Sequence, residues 1–222
     1  MFFEVPVSAL KEVYITEEFE QRYREKLPGI AYELVSDSVC RHLSDTSSPQ
    51  GVTAVVEQPD YPLESLICSD GCPCLMLLET IQDPGNLGTI MRTAEAAGVT
   101  GIIMNRDTAD PFNPKVIRST MGAVFRMPFH VAGDFHGVIH RLKKEDFAVY
   151  AAHLDGEIFY EADFRRPCAF LIGNEGRGLS EETTALADRR IRIPMEGKVE
   201  SLNASVAASL IMYEVMRQRR TL

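Results

Sequence analysis

Gly173-Asn-Glu-Gly-Arg-Gly178 places three glycines and a carboxylate directly behind the apolar run Cys168-Ala-Phe-Leu-Ile172. Glycines at this spacing let backbone amides approach a ligand closely, and a helix start just beyond them favours anions. The turn is not a Walker loop, since no Gly-Lys-Ser/Thr follows, and its spacing is not the Gly-x-Gly-x-x-Gly of dinucleotide sites. A second polar cluster, Ser201-Leu-Asn203, follows Ile191-Arg-Ile-Pro-Met195. Capping the next helix is the commonest job for Ser201 or Asn203. The third cluster begins at Asp83-Pro-Gly-Asn86, a tight turn with Asn86 as a helix cap, and carries Arg92, whose planar fork can grip a phosphate or carboxylate. A capped helix with a surface arginine accounts for that segment equally well. Recurrence favours a site: each cluster lies behind a strand-like run and ahead of a helical one, and such loops meet at one edge of a parallel sheet.

The elements that must carry these loops alternate from residue 74 onward, the pattern of a parallel sheet covered on both faces. Leu75 to Leu78 reads as a buried strand, followed by a helix from Asn86 to a stop at Gly98 and a strand from Gly101 to Met104. Asn113-Pro114 opens a helix toward Met121. Strands at 127–131 and 147–152 flank a helix from Asp134 to Lys144. After the strand ending at Ile172, Ser180 caps a helix with Glu181 and Glu182 in its first turn. A strand at 191–193 and a helix from about Leu202 to Arg219 complete the series. The opening 56 residues have another texture: strands near 13–15, 32–35 and 52–56, an acidic helix from Glu17 to Leu27 and a helix opened by Ser36. Paired prolines and Ser69-Asp-Gly-Cys-Pro73 mark residues 57–73 as a linker.

The 222 residues, 45% apolar, suffice for one main core and a small partner. No run of eighteen uncharged apolar residues spans a bilayer, and the start lacks a signal-like pattern, so the expected location is cytoplasmic. The net charge of −9 argues against a general nucleic-acid coat. Residues 1–70 carry 5 basic and 13 acidic side chains, a balance of −8, which leaves −1 for the remainder and room there for a local basic surface. The five cysteines are odd in number and mostly sit beside apolar runs, which fits a reducing compartment. Cys68, Cys72 and Cys74 would need a distant His42 or His153 to complete a metal site; a linker entering a strand is the simpler reading.

In order and spacing, the three polar segments closely resemble the three motifs of the SpoU-type, TrmH-like RNA 2′-O-ribose methyltransferases of the SPOUT superfamily, over residues 74–220. The resemblance implies an α/β parallel sheet with a carboxyl-terminal trefoil knot, an exception to the usual absence of threading. It implies S-adenosylmethionine as methyl donor, an RNA ribose 2′-hydroxyl as acceptor and no metal. Matched onto this chain, backbone groups of Gly173, Ile193 and Leu202 would hold the cofactor, with Leu171, Ile172, Pro194 and Met195 as walls. Arg92 would stand beside the acceptor hydroxyl, Asn86 would orient its loop, and Glu175, Ser201 and Asn203 would fix the pocket by hydrogen bonds, Glu175 being an alternative proton acceptor. The family also implies a homodimer through the knotted region, in which Arg118, Arg126 or Arg177 of a neighbour could complete an RNA surface.

Further forward, Tyr32 to Ser36, Leu43 to Thr46 and Pro49 to Val56 resemble the latter part of a ribosomal-protein-like RNA-binding domain, which would therefore be truncated at its amino end. That domain points to ribosomal RNA, 23S or other, over transfer RNA. Two rivals belong to other classes: a non-catalytic RNA-binding or ribosome-assembly protein on the same fold, and a phosphate-binding hydrolase using the glycine turn.

Overall fold

The computed structural model describes residues 2–44, 46, 48–68 and 71–220; Asp45 of the amino-terminal resemblance and Ser69 and Asp70 of the expected linker lie outside the described residues. The chain forms two compact units that divide between Pro59 and Asp60.

In the first unit, β1 (Leu10–Ile15), α1 (Glu17–Tyr23), β2 (Glu33–Leu34), α2 (Asp37–Leu43) and β3 (Val52–Val56) follow in order. Thr16 and Ser36 start the two helices, each hydroxyl accepting a backbone N–H three residues on. β1 lies between a parallel β2 and an antiparallel β3. Val13, Ile15, Phe19 and Leu27 form the core, with Phe2, Phe3 and Tyr23 packed against it.

The second unit begins earlier than expected. Residues 60–73 are not a plain linker, because α3 (Leu63–Ile67) occupies them and buries Leu66 and Ile67. Pro62 stands at the cap position of this helix, so a proline that reads as a breaker here precedes a helical turn. Leu66 packs so closely on Gly101 that a Cβ at that glycine would lie 2.7 Å from a Leu66 methyl carbon.

The main sheet is built from β4 (Cys74–Leu78), β5 (Gly101–Asn105), β6 (Phe129–Ala132), β7 (Ala148–Ile158), β8 (Cys168–Ile172) and β9 (Arg189–Arg192), joined through α4 (Pro84–Ala97), α5 (Pro114–Thr120), α6 (Phe135–Lys144) and α7 (Glu181–Leu186), with α8 (Ala204–Arg220) last. The strand order is β6-β5-β4-β8-β7-β9 and every pairing is parallel. Met76, Leu78, Phe170 and Ile172 face α4 and α8 in one core; Leu75, Leu77, Ala169 and Leu171 face α6 in the other. Burial on both faces is why these strands are continuous apolar runs.

β7 runs six residues past its expected end at Ala152, because β9 pairs with it twice: Ala152 and Glu157 both stand opposite Ile191, with an irregular stretch between. Gly156 makes the second pairing possible. A Cβ there would sit 2.6 Å from the Arg190 carbonyl carbon. At the other end of the sheet, α8 finishes in a clasp. The Arg219 guanidinium donates to the carbonyls of Phe164 at 3.0 Å, Arg166 at 3.0 Å and Cys72 at 2.5 Å, and the Gln218 amide bonds Ala162 and Phe164 at 2.9 Å each.

Candidate active site

The turn entering α4 is built from Asp83, not Asn86. The Asp83 carboxylate accepts from the Asn86 amide at 2.9 Å and caps the helix; Pro84 occupies the first turn, which needs no N–H, and Asn86 lies inside the helix with its side chain freed for other work. Leu87, Ile90, Met91 and Ala94 are buried, and Gly98 at φ +74° terminates the helix. Gly88 lets α5 come close, since a Cβ there would lie 1.8 Å from the Ser119 hydroxyl. Arg92 is on the exposed side and makes no hydrogen bond or ion pair among the described residues.

Three residues from the three polar clusters meet. Asn86 Nδ2 donates to Glu175 Oε1 at 3.0 Å, and Asn86 Oδ1 accepts from Asn203 Nδ2 at 2.9 Å. The Glu175 carboxylate also accepts the backbone amides of Asp83 at 3.0 Å and Gln82 at 3.2 Å. Asn203 keeps its ordinary job as well: Oδ1 accepts from the Ser205 amide at 2.9 Å and caps α8. Partial burial pushes the Glu175 carboxyl up, but the bonds from Asn86, its own backbone, Asp83 and Gln82 outweigh it and hold the group below the usual glutamate range. A carboxylate so stabilised is a poor proton acceptor.

Gly173 is a glycine because the loop folds back on it. Asn174 and Gly178 exchange two backbone hydrogen bonds, of 3.0 and 2.9 Å, and a Cβ on Gly173 would lie 2.2 Å from the Gly178 carbonyl carbon and the Leu179 nitrogen. The Asn174 side chain turns the tip, accepting from the amides of Gly176 and Arg177 and donating to the Thr80 carbonyl at 2.9 Å.

Behind this loop lies a cleft of about 770 Å³, bordered by Ile172, Gly173 and Glu175 on one side and Ile193, Met195, Ser201 and Leu202 on the other. Its size and its mixture of apolar walls with a few polar groups suit a nucleoside-sized ligand. Other expected residues lie elsewhere. Leu171 is fully buried in the α6-side core, on the opposite face of β8 from Ile172, so it is no wall of the cleft. Pro194, Asn86, Asn203 and Arg92 are not among the lining residues either; Asn86 and Asn203 act through Glu175 and α8. Ala152, His153, Leu154, Phe159, Arg192 and Glu200 also line the cleft and were not anticipated. Ala152 ends an apolar run and His153 and Leu154 directly follow it, the signal already used for the other loops. Phe159 arrives only through the extension of β7, which no local pattern marks.

Residues 73–213 match the model of the SpoU rRNA Methylase family. The chain belongs to this family. SpoU relatives include the Bacillus subtilis 23S rRNA (guanosine(2553)-2′-O)-methyltransferase RlmP, 32% identical over 93% of this chain and 83% of its own length. The Bordetella pertussis 23S rRNA (guanosine-2′-O-)-methyltransferase RlmB is 38% identical over 77% of this chain and 71% of its own. Among solved SpoU structures, AviRb from Streptomyces viridochromogenes in complex with AdoMet superimposes with a TM-score of 0.83 at 29% identity, covering 95% of this chain and 83% of that one. An AdoMet-bound rRNA methyltransferase from Sinorhizobium meliloti gives 0.82 at 30% identity, covering 98% and 85%.

Proposed function

We propose that this SpoU protein transfers a methyl group from S-adenosylmethionine to a ribose 2′-hydroxyl of RNA, with ribosomal RNA as the substrate. The carrying observation is the cleft at the carboxyl ends of β8 and β9, bound to the entry of α4 by the Glu175–Asn86–Asn203 bridge. Relatives named as 23S rRNA 2′-O-methyltransferases support the acceptor, and the AdoMet-bound neighbours support the donor.

The cleft residues fit that cofactor. Ile172, Phe159, Ile193, Met195 and Leu202 offer apolar walls for a purine, while His153, Glu200, Ser201 and the loop backbone offer polar partners for its ribose and amino-acid portion. When bound, S-adenosylmethionine would supply an electrophilic methyl on sulfonium: as the ribose oxygen bonds to that carbon, the carbon–sulfur bond breaks to leave a neutral thioether and the hydroxyl proton passes to solvent. The protein's task is to orient the acceptor and stabilise charge developing on that oxygen. Arg92, permanently charged and unengaged, is suited to hold the ribose phosphate and the developing alkoxide, and unsuited to act as a base. Ser201 at the cleft rim adds a hydroxyl to the pocket.

The finer readings follow from the same resemblance. The segment after β8 is proposed to thread as a trefoil knot. The amino-terminal unit is proposed as an RNA-contacting accessory domain. A second copy is proposed to dock on α8, where Val206, Leu210 and Tyr213 lie exposed at helical spacing, bringing Arg118 or Arg177 of the partner toward the substrate, Arg126 being paired with Glu95 of its own chain.

One experiment tests the core of the proposal: mapping of 2′-O-methyl sites in total RNA from cells that contain the gene, lack it, or carry Arg92→Ala. One ribosomal RNA site should vanish in both altered strains, while purified Arg92→Ala binds S-adenosylmethionine with near-normal affinity by calorimetry. A lost site in transfer RNA, or normal methylation by Arg92→Ala, would refute the assignment.

A further inference from the structure

Thr80, in the turn between β4 and α4, has φ +60°. Two other non-glycine residues among those described share this left-handed region, Met121 at a helix end and Asp146 in a turn, but neither is β-branched. For a β-branched side chain the conformation is an outlier, sustained only when its surroundings over-determine it.

The surroundings here are Asn105 and Asn174. The Thr80 amide donates to Asn105 Oδ1 at 2.8 Å, and Asn105 Nδ2 donates to the Thr80 hydroxyl at 2.9 Å, so one side chain grips both the backbone and the side chain of the strained residue. Thr108 donates its hydroxyl to Asn105 Oδ1 at 2.8 Å, which fixes the orientation of the amide group. From the other side, Asn174 of the glycine loop donates to the Thr80 carbonyl at 2.9 Å. Downstream, the Ile81 carbonyl accepts from the Ala109 amide at 2.8 Å, and the next two amides, Gln82 and Asp83, are the ones that bond Glu175.

We infer that Asn105 is a positioning residue for methyl transfer, holding Thr80 in its left-handed conformation so that the 80–83 turn presents its amides to Glu175 and sets the entry of α4, the helix that carries Arg92. The side chain touches neither the cleft nor the proposed acceptor. It acts through Thr80. The inference rests on the functional reading above for its kinetic consequence, though not for its structural one.

The test is a pair of variants and their combination. Asn105→Ala should slow turnover at saturating S-adenosylmethionine by about ten-fold or more, as expected for misplacement of a catalytic element by a fraction of an ångström to an ångström. Its cofactor affinity should fall by less than its turnover, because the 80–83 turn itself does not line the cleft and reaches it only through Asn174 and Glu175. Glycine enters the left-handed region freely, so Thr80→Gly in the Asn105→Ala background should restore most of the lost rate. Amide exchange at Gln82 and Asp83 should accelerate in Asn105→Ala and regain protection in the double variant. This readout needs no RNA, and rates are normalised to folded protein by circular dichroism. Two results overturn the inference: unchanged exchange and turnover in Asn105→Ala, or a double variant no better than the single one. Inactivity of the wild-type chain on RNA, with the exchange pattern as expected, would count against the methyltransferase reading and leave the clamp standing.

Discussion

At the scale of single residues, the site depends on contacts that allow no substitute. Gly173 faces backbone, not a movable side chain, so Gly173→Ala must open the 174–178 loop. The expected cost is about 1–3 kcal/mol of stability from overpacking, together with weakened S-adenosylmethionine binding; denaturant melts and calorimetry on the same preparation measure both. Glu175 is held ionised by its donors, and its folded pKa lies below the ordinary value. The stabilisation it gives is therefore present above the unfolded glutamate pKa and is lost as pH falls through the lower folded value. Wild type should exceed Glu175→Gln in stability at neutral pH, with the difference shrinking in the acid range. A difference that stays constant from neutral pH to pH ~3 would show that the charge is immaterial.

At the scale of elements, α8 has two duties at its first turn, and they can be separated. Asn203→Asp keeps an oxygen for the cap but loses the donor to Asn86 Oδ1, so the thermal midpoint should change little while methyl transfer falls. Asn203→Ala should lose both, with about 1 kcal/mol of cap stability gone. Equal midpoints and equal activities in the two variants would reject this division. Much of the element order was legible because strands buried on both faces are unbroken apolar runs, as in Leu75 to Leu78 and Cys168 to Ile172. The same property hides which face each residue takes, so nothing in the run itself checks the family match that puts Leu171 beside Ile172 as a wall, whereas the structure buries it on the α6 side. Asn86 and Asp83 are both good caps, and it is Pro84 in the first turn that selects Asp83. Asn86, Glu175 and Asn203 stood out by type and by place behind strands. Their mutual bonds did not, because partners 89 and 117 positions apart are brought together by strand order, on which local sequence is silent.

At the scale of the molecule, α8 buries one face against the sheet and leaves Val206, Leu210 and Tyr213 at 45%, 41% and 46% exposure on another. If a second copy covers that stripe, Leu210→Asp should convert a dimer to monomers in sedimentation velocity, with each monomer retaining its fold. A wild-type monomer would remove the proposed dimer, and a variant that still dimerises would move the interface elsewhere.

The bridge from Asn86 to Asn203 also has a bearing on how the protein is made. A polypeptide emerging from a ribosome can complete β4, α4 and β8 while Asn203, 117 positions after Asn86, is still inside the exit tunnel or not yet translated. Until that residue arrives, Glu175 can already bond Asn86 and the amides of Gln82 and Asp83, but α8 is not yet joined to them. The side of the cleft bordered by Ser201 and Leu202 is therefore the last to be translated, after the glycine loop and the entry of α4 that it must face.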